Sequence, residues 1–244
     1  MTAANHPQIV VVADAAALAQ TAARRLIERV KHGNRAAVCL TGGSSPLGLY
    51  RLLAKDPLRS EVPWTRVHWF MGDDRFVPES DKLSNMGAAR RAFLDSVPAT
   101  QLNIHPIPTA ANDPAEAARR YEAELKQFYG ADRLDPGRPL FDLVLMGLGP
   151  DGHTASLFPH SAELEEKQSW VVGVAKAGME PFVPRVTLTF PALASTREMV
   201  FLVDSADKRQ ILGRILAGED LPAHRAYAQG DLIWLIIRAA APER

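Results

Sequence analysis

The segment GLGPDGHTASLFPHS, residues 147–161, packs an unusual set of reactive side chains into a few positions. Asp151 and His153 stand two apart among Gly147, Gly149 and Gly152, directly after the apolar run FDLVLM. A neutral imidazole titrates near working pH and can take a proton from water. A carboxylate beside it can orient the ring or favour its protonated form. A histidine that only satisfies a structural hydrogen bond is the plainer alternative, but the carboxylate and the glycines at a strand end favour chemistry. A metal centre built from Asp151, His153 and His160 matches no strong ligand spacing, and no cysteine lies near it.

Three other stretches carry charge or anion-binding potential. In LTGGSSPLGLY, the glycines and serines of Thr41-Gly42-Gly43-Ser44-Ser45 can surround a phosphate with backbone N–H groups and hydroxyls. The same residues would serve a tight strand-to-helix turn. The stretch is neither a Walker A sequence nor a GxGxxG fingerprint. In GDDRFVP, Arg75 can pair with a phosphate or carbonyl oxygen while Asp73 or Asp74 orients it; a solvated turn with local ion pairs is the alternative. Lys208 falls in the first turn of a helix, where a cation opposes the helix dipole unless an anion shares the site; an exposed lysine without a ligand is the alternative. Arg185 begins RVTLTF and would reach the same place only if that strand ran antiparallel or its segment folded over the crevice.

What must hold these residues is an α/β framework. The runs QIVVVA, AAVCLT, RVHWFM, FDLVLMG, WVVGVA, RVTLTF, EMVFLV and DLIWLII read as strands, several without polar alternation, as in strands buried on both faces. Asp14 caps a helix with Leu18, Ala22, Leu26 and Val30 on one face and Gly33 as its stop. Asp113-Pro114-Ala115-Glu116 reads as a cap, a first-turn proline and a reciprocal glutamate, ahead of Ala117, Tyr121, Leu125 and Phe128 on one side. Ile211, Leu212, Ile215 and Leu216 form a third apolar face ending near Gly218. Alternating strands and helices predict a mainly parallel sheet covered on both faces, whose ligands bind beyond the carboxyl ends of the strands. The loops at Thr41, Gly72, Gly149 and Asp204 all follow strands, so they share one edge.

Composition narrows the class. The 244 residues suit one large α/β domain or two small ones, with YGADRLDPGRP (129–139) as a loop or a weak boundary. With 28 basic and 28 acidic side chains, nothing favours nucleic acid or an anionic membrane surface. The N-terminus lacks a signal-peptide pattern and no window suits a membrane span, so a soluble, unprocessed chain is expected. Cys39, the single cysteine, lies in an apolar run and reads as a small buried hydrophobe in a reducing compartment. GxSxG is absent.

The blocks LTGGSSP, WFMGDDRFVPESDKLSNMGAAR, FDLVLMGLGPDGHTASLFP, PRVTLTFPAL and DKRQIL, in this order and spacing, resemble the 6-phosphogluconolactonases of the glucosamine-6-phosphate isomerase/6-phosphogluconolactonase family. The resemblance runs from about residue 8 to residue 237; the blocks around Asp73 and His153 are its specific part. It implies a Rossmann-like three-layer α/β/α fold, one domain over 1–244, and cytoplasmic hydrolysis of 6-phospho-D-glucono-1,5-lactone without metal or nucleotide cofactor. It further implies that His153 is the general base with Asp151 beside it. Gly43 and Ser44, following Gly42, would hold the 6-phosphate with Arg185 and Lys208. Arg75, next to Asp73, would contact the lactone or its phosphate. Ile236 and Ile237 depart from the family pattern, which has an acidic residue after the last strand. The rival chemistry, deamination and isomerisation of glucosamine 6-phosphate, is disfavoured because the histidine motif continues Thr154-Ala155-Ser156-Leu157-Phe158-Pro159, without a glutamate. A non-catalytic sugar-phosphate sensor is the rival from another class. Oligomeric state is open.

Overall fold

The structure, a computed structural model, describes residues 7–242. The first six residues, on which the N-terminal reading partly rests, lie outside that range, as do the last two. The chain begins with β1 (Gln8–Val12), α1 (Ala15–Val30), β2 (Ala36–Leu40), α2 (Leu47–Leu53) and α3 (Leu58–Glu61). There follow β3 (Val67–Met71), β4 (Asp73–Arg75), α4 (Asn85–Ala92), β5 (Ile104–His105), α5 (Pro114–Tyr129) and β6 (Leu143–Met146). The last part holds β7 (Val171–Val174), β8 (Arg185–Leu188), α6 (Phe190–Ala194), β9 (Glu198–Val203), α7 (Arg209–Leu216), α8 (Pro222–Arg225) and β10 (Asp231–Ile237).

Seven strands form one parallel sheet in the order β1-β10-β9-β6-β2-β3-β5. From β2 the chain winds one way to β3 and β5, and from β6 it winds the other way to β9 and β10. The reversal between β2 and β6 is a topological switch point, where the loops beyond the strand ends diverge and leave a crevice. The inner strands β2, β6 and β9 are buried at every position, which explains their unbroken apolar sequences. Cys39, on β2, is fully buried.

Local signals set the helix limits. Asp14 accepts from the Ala17 N–H at 2.9 Å and opens α1, whose Leu18, Ala22, Leu26 and Val30 pack inward as expected. Truncating Leu26 to alanine would cost about 2–5 kcal/mol. Asp113 accepts from the Glu116 N–H at 2.7 Å, while the Glu116 carboxylate reaches back to the Asn112 N–H rather than to the cap residue itself. Gly130, in the left-handed region, ends α5. The start of α5 lies so near β7 that a Cβ on Gly173 would fall 2.6 Å from the Pro114 carbonyl carbon.

Two buried tyrosines brace the strand ends that lead into the site. The Tyr50 hydroxyl donates to the Thr41 carbonyl at 2.7 Å and accepts from its N–H at 3.2 Å. The Tyr121 hydroxyl does the same for Met71, at 3.1 and 2.9 Å. Backbone groups that leave the ladder are thus satisfied inside the protein, and the following loops start from fixed points.

Beside the main sheet stands a small antiparallel one, in the order β4-β8-β7. It sets RVTLTF antiparallel to both β4 and β7 and brings Arg185 opposite Arg75. The strand runs antiparallel, one of the two conditions under which Arg185 could reach the crevice.

Candidate active site

Above the switch point lies a cleft of about 250 Å³, lined by the Thr41–Ser45 loop, Asp73, Arg75, Asn85, the Gly147–Pro150 turn, His153–Ala155, Phe158, Met179, Glu180, Arg185 and Lys208. Of the candidate catalytic, binding and metal-ligating side chains, Asp74, Asp151 and His160 do not line this cleft. Asp151 lies behind His153 and borders a second cavity together with His160. His160 therefore does not join His153 at the cleft, and among the described residues no three His, Cys, Asp or Glu side chains form a group able to hold a metal.

The imidazole is positioned by its own loop. His153 Nδ1 lies 2.5 Å from Asp151 Oδ1, and the His153 N–H donates to the same oxygen at 3.1 Å. Burial raises the Asp151 carboxyl, but the bond and the charge of His153 outweigh it and hold the group below the usual carboxylate range. The Gly149 N–H donates to the His153 carbonyl at 2.8 Å and the Gly152 N–H to the Gly149 carbonyl at 3.1 Å, closing a turn in which Gly152 has φ of 85°. That value strains any residue with a Cβ. Gly149 answers a different need: a Cβ there would sit 2.0 Å from His153 Nδ1, so the ring can lie over the turn only because the side chain is absent. Phe158 packs against the imidazole, with ring centroids 4.8 Å apart.

The cations occupy the other part of the cleft. Arg185 is 4% exposed and donates only to carbonyls, those of Pro181 at 2.8 Å and Val183 at 3.2 Å. Burial, and next the charge of Arg75, pull its guanidinium below the usual value, against the opposing pull of Asp73 and Asp74. Arg75 donates to the Leu83 carbonyl at 2.7 Å and keeps a buried Nε without a partner. Neither guanidinium forms an ion pair with a carboxylate among the described residues. A buried and a half-buried cation placed opposite one another are unfavourable unless an anion joins them. Lys208, at the end of a single helical turn just before α7, has Asp207 at 3.9 Å as its ion contact. On the near side, the N–H groups of Gly43 and Ser44 find no acceptor among the described residues. Ser45 Oγ donates to Asp204 at 2.5 Å and ties the loop after β2 to the loop after β9.

Strand alternation separates the two aspartates. Asp74 turns away, is 2% exposed, and accepts from the N–H groups of Arg75, Asn85 and Met86 and from Ser84 Oγ. Burial raises its carboxyl to about 6 against those bonds. Asp73 faces the cleft, held by Ser156 Oγ at 2.6 Å and by Asn85 Nδ2 at 3.4 Å. Asn85, Ser156, Met179 and Glu180 are contributors that sequence reasoning did not single out. Asn85 starts α4 directly after its Ser84 cap, and its amide fills the space that a Cβ on Gly42 would take, 2.0 Å from Asn85 Oδ1. The Ser84 cap could have marked that helix start; no sequence signal marks the loop carrying Met179 and Glu180.

Fold and cleft together define a parallel-sheet α/β protein with a group of cations and a carboxylate-backed imidazole at one crevice. The sequence profile described as "Glucosamine-6-phosphate isomerases/6-phosphogluconolactonase" matches residues 13–234, and the chain belongs to that family. It is 41% identical over 221 residues to a 6-phosphogluconolactonase of Synechocystis sp., covering 88% of each chain. It is 35% identical over 250 residues to that of Streptomyces coelicolor, covering 98% of this chain and 95% of the other. The crystal structure of 6-phosphogluconolactonase from Thermotoga maritima superimposes with a TM-score of 0.82 at 28% identity, covering 96% of this chain and all of that one.

Proposed function

We propose that the protein hydrolyses 6-phospho-D-glucono-1,5-lactone to 6-phosphogluconate, the lactonase step of the oxidative pentose phosphate pathway. The reading takes the chain as one cytoplasmic domain. One observation carries the chemistry: a base-like imidazole and two guanidinium groups without carboxylate partners among the described residues line the same cleft. The relatives of 35–41% identity that bear the lactonase name support the substrate.

In this mechanism Arg185, Arg75 and Lys208 hold the 6-phosphate together with the N–H groups of Gly43 and Ser44, while Asp73 borders the sugar. His153 Nδ1 is engaged by Asp151, so Nε2 takes the proton of the attacking water. The water oxygen bonds to C1, and the developing oxyanion is met by cations or backbone N–H groups. The C1–O5 bond then breaks and O5 recovers the proton from the imidazolium. The acid formed at C1 ionises, so one proton is released per turnover. A lactone carbonyl is reactive enough for direct attack, and no covalent nucleophile is required.

The test is proton release from freshly generated 6-phosphoglucono-δ-lactone, measured above its spontaneous hydrolysis. Saturable acceleration is expected. No acceleration, or production of ammonia and fructose 6-phosphate from glucosamine 6-phosphate, would reverse the assignment.

A further inference from the structure

The base and two of the three cations of the cleft belong to different sheets. His153 stands on the loop that leaves β6 of the main sheet, whereas Arg75 and Arg185 are register partners in β4 and β8 of the small one. Asp73 and Thr187 are also register partners, two residues from the arginines along the same strands, so alternation puts all four on one face. Ser156, three residues beyond His153, joins the base loop to that face. Its Oγ donates to Asp73 Oδ2 at 2.6 Å, and its N–H donates to Thr187 Oγ1 at 3.2 Å. Ser156 and Thr187 are fully buried and Asp73 is 5% exposed. A hydroxyl bonded to a carboxylate away from water is short and directional.

Between the imidazole and Ser156 the chain is stiff. Thr154 Oγ1 donates to the Gly147 carbonyl at 2.8 Å, and the Leu157 N–H donates to the Thr154 carbonyl at 3.0 Å. A shift at residue 156 is therefore passed on to residue 153. We infer that Ser156 is a positioning residue that sets the spacing between the base and the two arginines that hold the phosphate, and so decides how far phosphate binding accelerates attack at the carbonyl. This rests on the function proposed above.

The reasoning separates two substrates. A phosphorylated lactone is gripped by the cations and must find the base at the right distance, whereas glucono-1,5-lactone without phosphate can follow the base loop. Remote binding energy raises the rate only when it orients the reacting atoms.

The experiment compares Ser156→Ala with wild type on both lactones and measures inhibition by inorganic phosphate. Thr187→Val serves as a second variant that cuts the other tie. We expect kcat on the phosphorylated lactone to fall by roughly 10- to 100-fold, the size of effect that about 1 Å of misplacement produces. The rate on glucono-1,5-lactone should fall far less, and the phosphate inhibition constant should stay near wild type because the cations are untouched. Equal losses on the two lactones would reduce Ser156 to a general structural role and overturn the inference, as would an unchanged ratio in both variants. A wild-type protein that fails to accelerate the phosphorylated lactone would instead overturn the proposed function and take the inference with it.

Discussion

Replacing Gly149 by alanine should silence the imidazole without touching it. Gly149 has no positive φ, so its backbone admits alanine; the obstacle is the ring. The added Cβ would lie 2.0 Å from Nδ1, 2.1 Å from Cε1 and 2.7 Å from Cγ of His153. To regain ordinary contact distances of roughly 3.5–4 Å, the ring must retreat by about 1.5 Å or more. The 2.5 Å bond from Nδ1 to Asp151 cannot survive that displacement, and Nε2 leaves its place over the cleft. General-base assistance is worth about 10²–10⁴-fold, or about 3–5 kcal/mol of barrier. Loss of that size is expected in kcat, measured as proton release above the spontaneous rate. Inhibition by inorganic phosphate should persist, since it reports the cation half. In the double variant with His153→Ala the new methyl group meets no ring, so the rate should match His153→Ala alone. Near wild-type activity in Gly149→Ala, or a further independent loss in the double variant, would refute the account of how the base is held.

Arg185→Ala and Lys208→Ala should each weaken the phosphorylated lactone far more than glucono-1,5-lactone; steady-state kinetics on the two substrates reads this directly, and equal losses would contradict phosphate holding. Asp151→Asn replaces the carboxylate 2.5 Å from His153 Nδ1 with a weaker acceptor, so kcat should fall, and an unchanged kcat would detach Asp151 from the base. Stability should also vary with pH through His68, whose ring nitrogen lies 2.9 Å from His105 and whose pKa is lowered from 6.5 to about 4 by burial, then by His105 and Arg35. Because the unfolded chain binds this proton more readily, stability should be full above pH 6.5 and decline as pH falls toward 4. The ceiling is about 3 kcal/mol, screened to roughly 1–2 by partial exposure of the ring, and His68→Gln should flatten that part of a chemical-denaturation pH series.

The main sheet was legible because its strands are apolar runs long enough to declare themselves, and the positions of the four loops followed from the strand ends. The small sheet was half hidden. Its strand Asp73–Arg75 is three residues long and all charged, so only pairing with β8 makes it a strand, and at the edge of the main sheet the two-residue Ile104–His105 is a strand only through its pairing with β3. That also concealed which aspartate faces the cleft: adjacent residues of a strand point oppositely, but the alternation has no meaning until the strand is known. Arg185 raised the same difficulty, since strand direction is a tertiary property. Ser156 reads as one more small residue in a loop, and only the arrival of Asp73 and Thr187 from elsewhere gives its hydroxyl and N–H a purpose. Glu116 was read as half of a cap pair, and its bonding to Asn112 shows the same motif displaced by one residue.

Cys39 has a practical consequence. It is the only cysteine, it is fully buried on the strand between β6 and β3, and burial pushes its thiol above the ordinary range. An alkylating reagent can therefore reach it only when the strands beneath the cleft part, and each molecule that opens gains a single adduct. Ligands that bind only the closed form suppress opening in proportion to their saturation. The rate of adduct formation, followed by intact mass in a crude extract, thus gauges how full the cleft is without any turnover being observed, and the protein carries its own occupancy meter.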